Sequence, residues 1–420
     1  MFAVLKRVIE TILPAPVLKV VVALYHRIFA WTAMLWYGFP GKRLFVIGVT
    51  GTKGKSSTVE MVNAILEEAG YRTAVISTIR FKTDTESRPN VFKMTMPGRG
   101  FIQKLLRDAV TKDCTHAVVE ITSEGARQYR HAGLFLNALI FTNIAKEHIE
   151  SHGSFENYKK AKLAIGRSLV SSPKRPRIIV ANGDDELGKK FLALPVEQSI
   201  SSNLSDAKPY TVSEQRVSMT AYGATFDIPF PGTFTILNAL SAATLAHALG
   251  INTKVIAHAL GSIEKIAGRV ERIERGQQFL AVVDYAHTPD SLKALYSAFP
   301  SRRKICVLGN TGGGRDRWKR REMGAIADDM CDSVILTNED PYDEDPVAIV
   351  EAMAEGMKRK PRIIMDRREA IRCALEEARA TDAVLVTGKG TDPFIMGPKG
   401  SKLSWSDARV VAEEIDKIMA

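Results

Sequence analysis

The sequence is short of the residues that build zinc modules and disulfide frameworks. Four cysteines (Cys114, Cys306, Cys331, Cys373) and eight histidines are spread over 420 residues. No C-x-x-C occurs and no spacing fits a zinc site, which excludes a structural zinc module. Cys306 and Cys331 lie in apolar runs, so buried free thiols are expected there, and these suit a reducing compartment. No secretory leader with a small-residue cleavage site is recognisable. No Lys/Arg run carries interleaved aromatics, so nucleic acid is not an expected partner. Acid is scarce at the start: over residues 1–43 only Glu10 opposes Lys6, Arg7, Lys19, Arg27, Lys42 and Arg43.

A clean membrane span is lacking too. "APVLKVVVALYHRIFAWTAMLWYGFP" is apolar and aromatic, but His26-Arg27 interrupt it near the middle. A span needs about 20 apolar residues, and a central arginine costs about 2.5 kcal/mol or more. Two readings of this short apolar N-terminal segment stay open. One is an interfacial helix on anionic lipid, a peripheral membrane contact at the inner face. The other is a helical hairpin packed on the body. The whole chain is 45% hydrophobic and 25% charged with a net charge of +11, which fits a globular protein of two or three domains with anionic ligands.

From Arg43 the pattern becomes α/β. "LFVIG", "TAVIS", "HAVVEI", "NALIFTN" and "RIIVAN" read as strands with helical stretches between several of them, hence a parallel sheet. Residues 217–229 alternate like an antiparallel patch, and a helical pair at 234–261 follows. A second series begins near Gln278: "FLAVVDYA", "KICVLG", "DSVILT", "RIIM" and "DAVLVTG", a Rossmann-like pattern. The expected division is 1–42, a central ATP-binding domain at 43–270 and a Rossmann-like domain at 271–420.

"VIGVTGTKGKSSTVEMV" joins the first strand to a helix through a glycine-rich turn. It misses the Walker A spacing, because Val49 stands where the first glycine belongs. The context is nonetheless that of a phosphate loop: backbone N–H groups and a helix N-terminus face the anion. Lys55 would reach terminal phosphates and Ser56 would ligate Mg²⁺. Glu120, ending "HAVVEI", lies where strand ends of an open α/β sheet gather. His148 and His152 are four apart, but Gly153 makes that stretch partly loop.

Together these pieces resemble the Mur ligase family, MurE type, over about residues 43–420. Thr50–Ser56 fits the family loop T-G-T-[NK]-G-K-[TS]. "FTNIAKEHIESHGSFENYKKAKLAI" is similar to T-N-x-x-x-D-H-x-x-x-H-G-x-x-x-x-Y-x-x-A-K, with Glu147 replacing Asp. "GTFTILNALSAATLAHALGI", "GRVERI", "VVDYAHTPDSL", "GGGRDRWKRREMGAIA" and "VLVTGKG" follow in family order. The resemblance implies an ATP-dependent ligase of peptidoglycan precursor synthesis in the cytoplasm. ATP would phosphorylate a muramoyl-peptide carboxylate, and a free amino acid's amine would attack the acyl phosphate.

It also implies the site. Thr50, Gly51, Thr52, Lys53, Gly54, Lys55, Ser56 and Ser57 would hold phosphate, and Asn238 would face adenine. Arg269 and Asp284 would reach ATP from the inter-domain side, with His287 nearby. Ser56 and Glu120 would ligate one magnesium, and His148 would help with a second. Lys162 falls on the family's carbamylated lysine. Thr95, Ser123, Gln128 and Arg130 match positions near the acceptor peptide, although Met96 and Glu124 depart from the family pattern. For the incoming amino acid, Arg320 matches an arginine near the substrate carboxylate, Asp340, Tyr342 and Asp392 stand where the family has Asn, Arg and Glu, and Gly388 lies in "VLVTGKG".

Two departures bear on substrates. The UDP-holding N-terminal domain usual in the type has no expected counterpart here, which allows a lipid-linked or otherwise membrane-proximal acceptor. The family's D-N-P-R, which receives diaminopimelate, reads "EDPY", with Tyr342 for the arginine; this favours L-lysine or another amine-bearing residue. A folylpolyglutamate-synthase-like ligase and a membrane-associated ATP-binding scaffold stay open as alternatives.

Overall fold

The computed structural model describes residues 14–420 apart from Arg99, and no side-chain detail for Ala15, Pro16 and Lys19. The Lys6, Arg7 and Glu10 part of the N-terminal charge count lies outside the described residues. Within them, residues 15–36 form one helix, Ala15–Trp36; the other arm of a hairpin would fall outside the described residues. Among the described residues no helix is long and apolar enough to cross a membrane.

The first sheet contains β1 (Phe45–Thr50), β2 (Thr73–Ile76), β3 (Arg80–Thr83), β4 (Glu86–Pro89), β5 (His116–Glu120), β6 (Ala138–Phe141), β7 (Ile178–Ala181) and β8 (Gln198–Ser201). Its order is β4-β3-β2-β5-β1-β6-β7-β8. The stretch from β2 to β8 is parallel, while β3 and β4 are antiparallel additions at one edge. Buried Val, Ile, Leu, Phe and Ala fill the central strands, as a sheet covered on both faces requires. One face packs on helices Lys55–Glu68, Thr233–Ala248 and Thr253–Gly261; the other packs on Phe101–Thr111 and Phe155–Val170. The antiparallel patch forms a separate sheet of β9 (Tyr210–Val212), β10 (Val217–Ala221) and β11 (Ala224–Ile228).

The second large sheet holds β12 (Glu271–Arg272), β13 (Leu280–Asp284), β14 (Lys304–Leu308), β15 (Ser333–Leu336), β16 (Arg362–Ile363) and β17 (Ala383–Thr387), ordered β12-β13-β17-β14-β15-β16. All but β12 run parallel. The expected α/β fold, with one central parallel sheet and a Rossmann-like second one, is what the chain adopts.

One expectation is corrected. Cys306 and Cys331 are joined in a disulfide, not free thiols. Cys306 lies on β14, and Cys331 caps the helix that leads into the neighbouring β15, so the fold stacks the two side by side. Cys114 and Cys373 are free.

Candidate active site

Strand registry sets the site. Val49 pairs with Glu120 and Thr50 with Phe141, so the loop after β1, the end of β5 and the residues after β6 emerge at one edge. Asp284 pairs with Thr387, which brings Gly388 to the equivalent edge of the second sheet. These carboxyl ends line a shared cleft of about 620 Å³, where an open α/β sheet binds ligands.

The glycine loop is shaped for close approach. Gly54 has φ +79°, and a Cβ there would stand 2.1 Å from Asn238 Oδ1. Asn238 is therefore packed under the loop, beside the start of helix Lys55–Glu68. The Lys53 N–H donates to Asn143 Oδ1 at 2.9 Å, and Thr142 Oγ1 donates to the Lys53 carbonyl at 2.6 Å. Thr52 Oγ1 accepts from the Ala145 N–H at 3.0 Å and lies 3.1 Å from the Tyr158 hydroxyl. Lys55 Nζ, its pKa lowered by burial despite Glu120 and Glu147, donates to the Thr52 carbonyl at 3.0 Å. The lysine thus lies folded over its own loop.

Ser56 Oγ donates to Glu120 Oε2 at 3.0 Å, and that oxygen also accepts the Thr78 N–H at 2.9 Å. Arg269, in the segment that leads into β12, lies within 3.1 Å of Ser56 Oγ while stacking 4.6 Å above the Tyr285 ring. Among the described residues no group of three His, Cys, Asp or Glu could hold a metal. A hydroxyl and a carboxylate beside a phosphate loop still suit Mg²⁺, which takes one or two protein oxygens and completes its shell with phosphate and water. The residues present therefore fit a nucleotide triphosphate with a hard cation at Ser56 and Glu120.

Lys162 is 1% exposed and donates to the Gly51 carbonyl at 2.6 Å. Burial, reinforced by Lys55 and Lys53, pushes its pKa well below the usual lysine range. Glu147 is also buried; desolvation opposes its charge, but Lys53, His148 and His287 together hold its pKa well down. It contacts Lys53 at 3.3 Å and, across the cleft, His287 Nε2 at 2.9 Å. Glu150 extends this seam: its N–H donates to Asp316 Oδ1 at 3.1 Å, and its Oε1 accepts the Arg317 N–H at 3.2 Å. Asp284 is occupied locally, accepting the Val270 and Ala286 N–H groups at 2.7 Å each.

On the acceptor side, Thr95 lies 2.7 Å from the Thr78 hydroxyl and Ser123 lies 3.2 Å from His152 Nε2. Arg130 binds the Met96 carbonyl, Met94 Sδ and Gln128 Oε1, so Gln128 and Arg130 brace the loop that carries Thr95.

On the amine side, Asp340 is held by Lys389 (2.9 Å), by the Met396 N–H (2.8 Å) and by Lys93 from the first sheet's side. Asp392 lies 3.5 Å from Lys93 and 3.7 Å from Lys389. Tyr342 has its ring 5.7 Å from Lys93 Nζ. Arg320 is buried and paired with Glu344 at 2.8 Å. Arg315 instead lines the cleft and feels Tyr285, Tyr342, Glu147 and Asp392. The sequence reading missed Arg315, Lys93, Thr78 and Asn143. Only "GGGRDRWKRR" held a signal, and spacing does not say which of its arginines faces inward.

Residues 49–246 match the profile described as the Mur ligase middle domain, and residues 268–390 match that of the Mur ligase, glutamate ligase domain. The chain belongs to the Mur ligase family. It is 33% identical over 402 residues to the UDP-N-acetylmuramoyl-L-alanyl-D-glutamate--2,6-diaminopimelate ligase of Syntrophomonas wolfei, covering 91% of this chain and 81% of that one. It is 36% identical over 394 residues to the UDP-N-acetylmuramyl-tripeptide synthetase of a Roseiflexus species, covering 87% and 77%. A solved diaminopimelate ligase superposes with a TM-score of 0.60 at 28% identity, over 90% of this chain and 79% of that one. Folylpolyglutamate synthase of Mycobacterium tuberculosis superposes with a TM-score of 0.69 at 16% identity, over 89% and 97%, a likeness of fold alone. This Mur ligase thus has MurE-type relatives over most of its length.

Proposed function

We propose that this Mur ligase adds an amino acid to a muramoyl-peptide carboxylate, with ATP as the phosphoryl donor, in peptidoglycan precursor synthesis. The observation that carries the reading is the convergence of Lys55, the Ser56–Glu120 pair and Arg269 at one cleft between two sheet edges. The transferred phosphoryl group and the attacked carboxylate are both anionic, so positive charge at the transition state lowers the barrier. Lys55, released from the Thr52 carbonyl, supplies one such charge, and Arg269, from the segment before β12, supplies another. Magnesium adds the rest when it is held by Ser56 and Glu120. The loop N–H groups and the helix N-terminus at Lys55 orient the phosphates, and Asn238 marks the adenine side.

Units 43–270 and 271–420 act as the two jaws, with Glu147–His287 as a contact between them. A second magnesium falls to His148 and Lys162, the latter as a carbamate, since a neutral buried amine is the form that adds carbon dioxide. Thr95, Ser123, Gln128 and Arg130 form the acceptor side. Arg315, in place of Arg320, takes the incoming amino acid's carboxylate, Asp392 holds a side-chain amine, and Tyr342, uncharged where the family has arginine, favours L-lysine over diaminopimelate. Contact of residues 15–36 with the inner membrane face is a separate part of the proposal, because no step of the ligation depends on it.

The test is ADP release with a panel of muramoyl peptides and amino acids. Release that requires both an acceptor and an amino acid supports the reading. Stimulation by folates and glutamate alone assigns the folylpolyglutamate alternative, and release indifferent to every acceptor leaves no ligase.

A further inference from the structure

We infer that helix Ala15–Trp36 is an interfacial anchor for anionic lipid, and that it holds the acceptor side of the cleft against a bilayer. The inference deepens the membrane part of the proposal and stands apart from the ligase chemistry. At about 100° per residue, Val17, Val21, Leu24, Ile28, Trp31 and Leu35 form one exposed stripe. Val20, on one side of it, and Val22, Phe29 and Trp36, on the other, are exposed too. The apolar arc therefore spans about 200° of the helix, twice the seam that a partner helix covers. Trp31 is 59% exposed and Trp36 84%. A second copy docked on the stripe would leave Val22, Phe29 and Trp36 in water; a lipid surface takes the whole arc.

Charge agrees. No Asp or Glu occurs between Glu10 and Glu60, whereas Lys19, Arg27, Lys42 and Arg43 fall in that interval. Arg27, Lys42 and Arg43 are exposed. Basic residues flanking a tryptophan-bearing apolar face match anionic headgroups over acyl chains. With no helix among the described residues fit to span a bilayer, this helix lies in the interface.

The opposite side of the helix fixes the orientation. Met34 is buried beside Gly133, Arg27 stacks 4.8 Å over the Tyr129 ring, and Ala33 and Tyr37 meet Gly100. Tyr129 sits between Gln128 and Arg130, so the anchor rests on the segment that braces the acceptor loop. An acceptor delivered along the membrane surface would meet its site directly.

The experiment is co-sedimentation of the full chain with vesicles of phosphatidylcholine, alone or mixed with phosphatidylglycerol. Binding to the anionic vesicles that weakens with salt is expected. Trp31→Ser/Trp36→Ser should weaken it at least ten-fold, and Lys42→Gln and Arg43→Gln about five-fold each, with solution ADP release unchanged. No binding to anionic vesicles at low salt, or binding indifferent to the tryptophan pair, overturns the inference. So does a concentration-dependent dimer that the tryptophan variant abolishes, which would assign the face to a second copy. Because vesicle binding is read without turnover, failure here leaves the ligase reading standing.

Discussion

Lys162→Met separates a structural lysine from a chemical one. The amine is buried, makes one hydrogen bond to the Gly51 carbonyl, and lies in the field of Lys55 and Lys53. Methionine fills similar space without charge. The change strips a partner from Gly51, at a cost of about 1–3 kcal/mol. Because burial beside Lys55 and Lys53 already disfavours the charged form, little charge repulsion is relieved by the change. Stability should therefore fall by no more than about 3 kcal/mol. Activity should respond quite differently. If the lysine serves as a carbamate that helps hold magnesium, the variant loses transition-state stabilisation of about 3–4 kcal/mol, roughly 10²–10³ in kcat. ADP release at saturating ATP measures it. Wild-type enzyme stripped of carbon dioxide should show the same deficit and recover with bicarbonate; the variant should not respond. A variant within ten-fold of wild type, or wild type blind to bicarbonate, refutes the carbamate.

Three further outcomes follow from the geometry. Arg315→Met should raise the amino acid KM about 10–100-fold with the ATP KM unchanged, as loss of a charged carboxylate contact does, whereas Arg320→Met should instead lower stability by about 1–3 kcal/mol, because half-buried Glu344 loses its nearer partner and keeps only Arg317 at 3.3 Å; urea unfolding and kinetics of both variants separate the two. Gly54→Ala should abolish ATP binding by calorimetry, because φ +79° and the 2.1 Å approach to Asn238 both resist a Cβ; unimpaired binding would contradict the loop assignment. Acid should open the jaws. His287 is pulled by burial from 6.5 to about 4, so below pH 6.5 the unfolded chain takes a proton that the folded one refuses, and stability falls as pH drops toward 4 by up to about 2 kcal/mol at pH 5. Glu147, held low, adds a loss only as pH falls through its depressed pKa. Unfolding that is flat between pH 7 and 5, in wild type and His287→Gln alike, would contradict this.

The parallel strands were legible because each is a short apolar run closed by Gly, Asn or Thr, and β1, β2, β5, β6, β7 and β13 to β17 were all expected. The β3–β4 hairpin was not: "RFKTDTESRP" is too polar for its edge position to register as a strand. The phosphate loop was legible through its strand–glycine–helix context and its family spacing, not through the general pattern. The disulfide and the direction of each arginine in "GGGRDRWKRR" depend on which residues the fold sets side by side, and local spacing carries no such information. The same is true of Lys93, which meets Asp340 only because the two sheet edges face each other.

The central claim is that the acceptor carboxylate is activated by phosphoryl transfer. Muramoyl peptide labelled with ¹⁸O in its terminal carboxylate, turned over with ATP and the amino acid that stimulates ADP release, tests it most directly. An acyl phosphate carries one labelled oxygen out, so the released phosphate should hold one ¹⁸O per amide formed. Unlabelled phosphate alongside amide product would contradict the account.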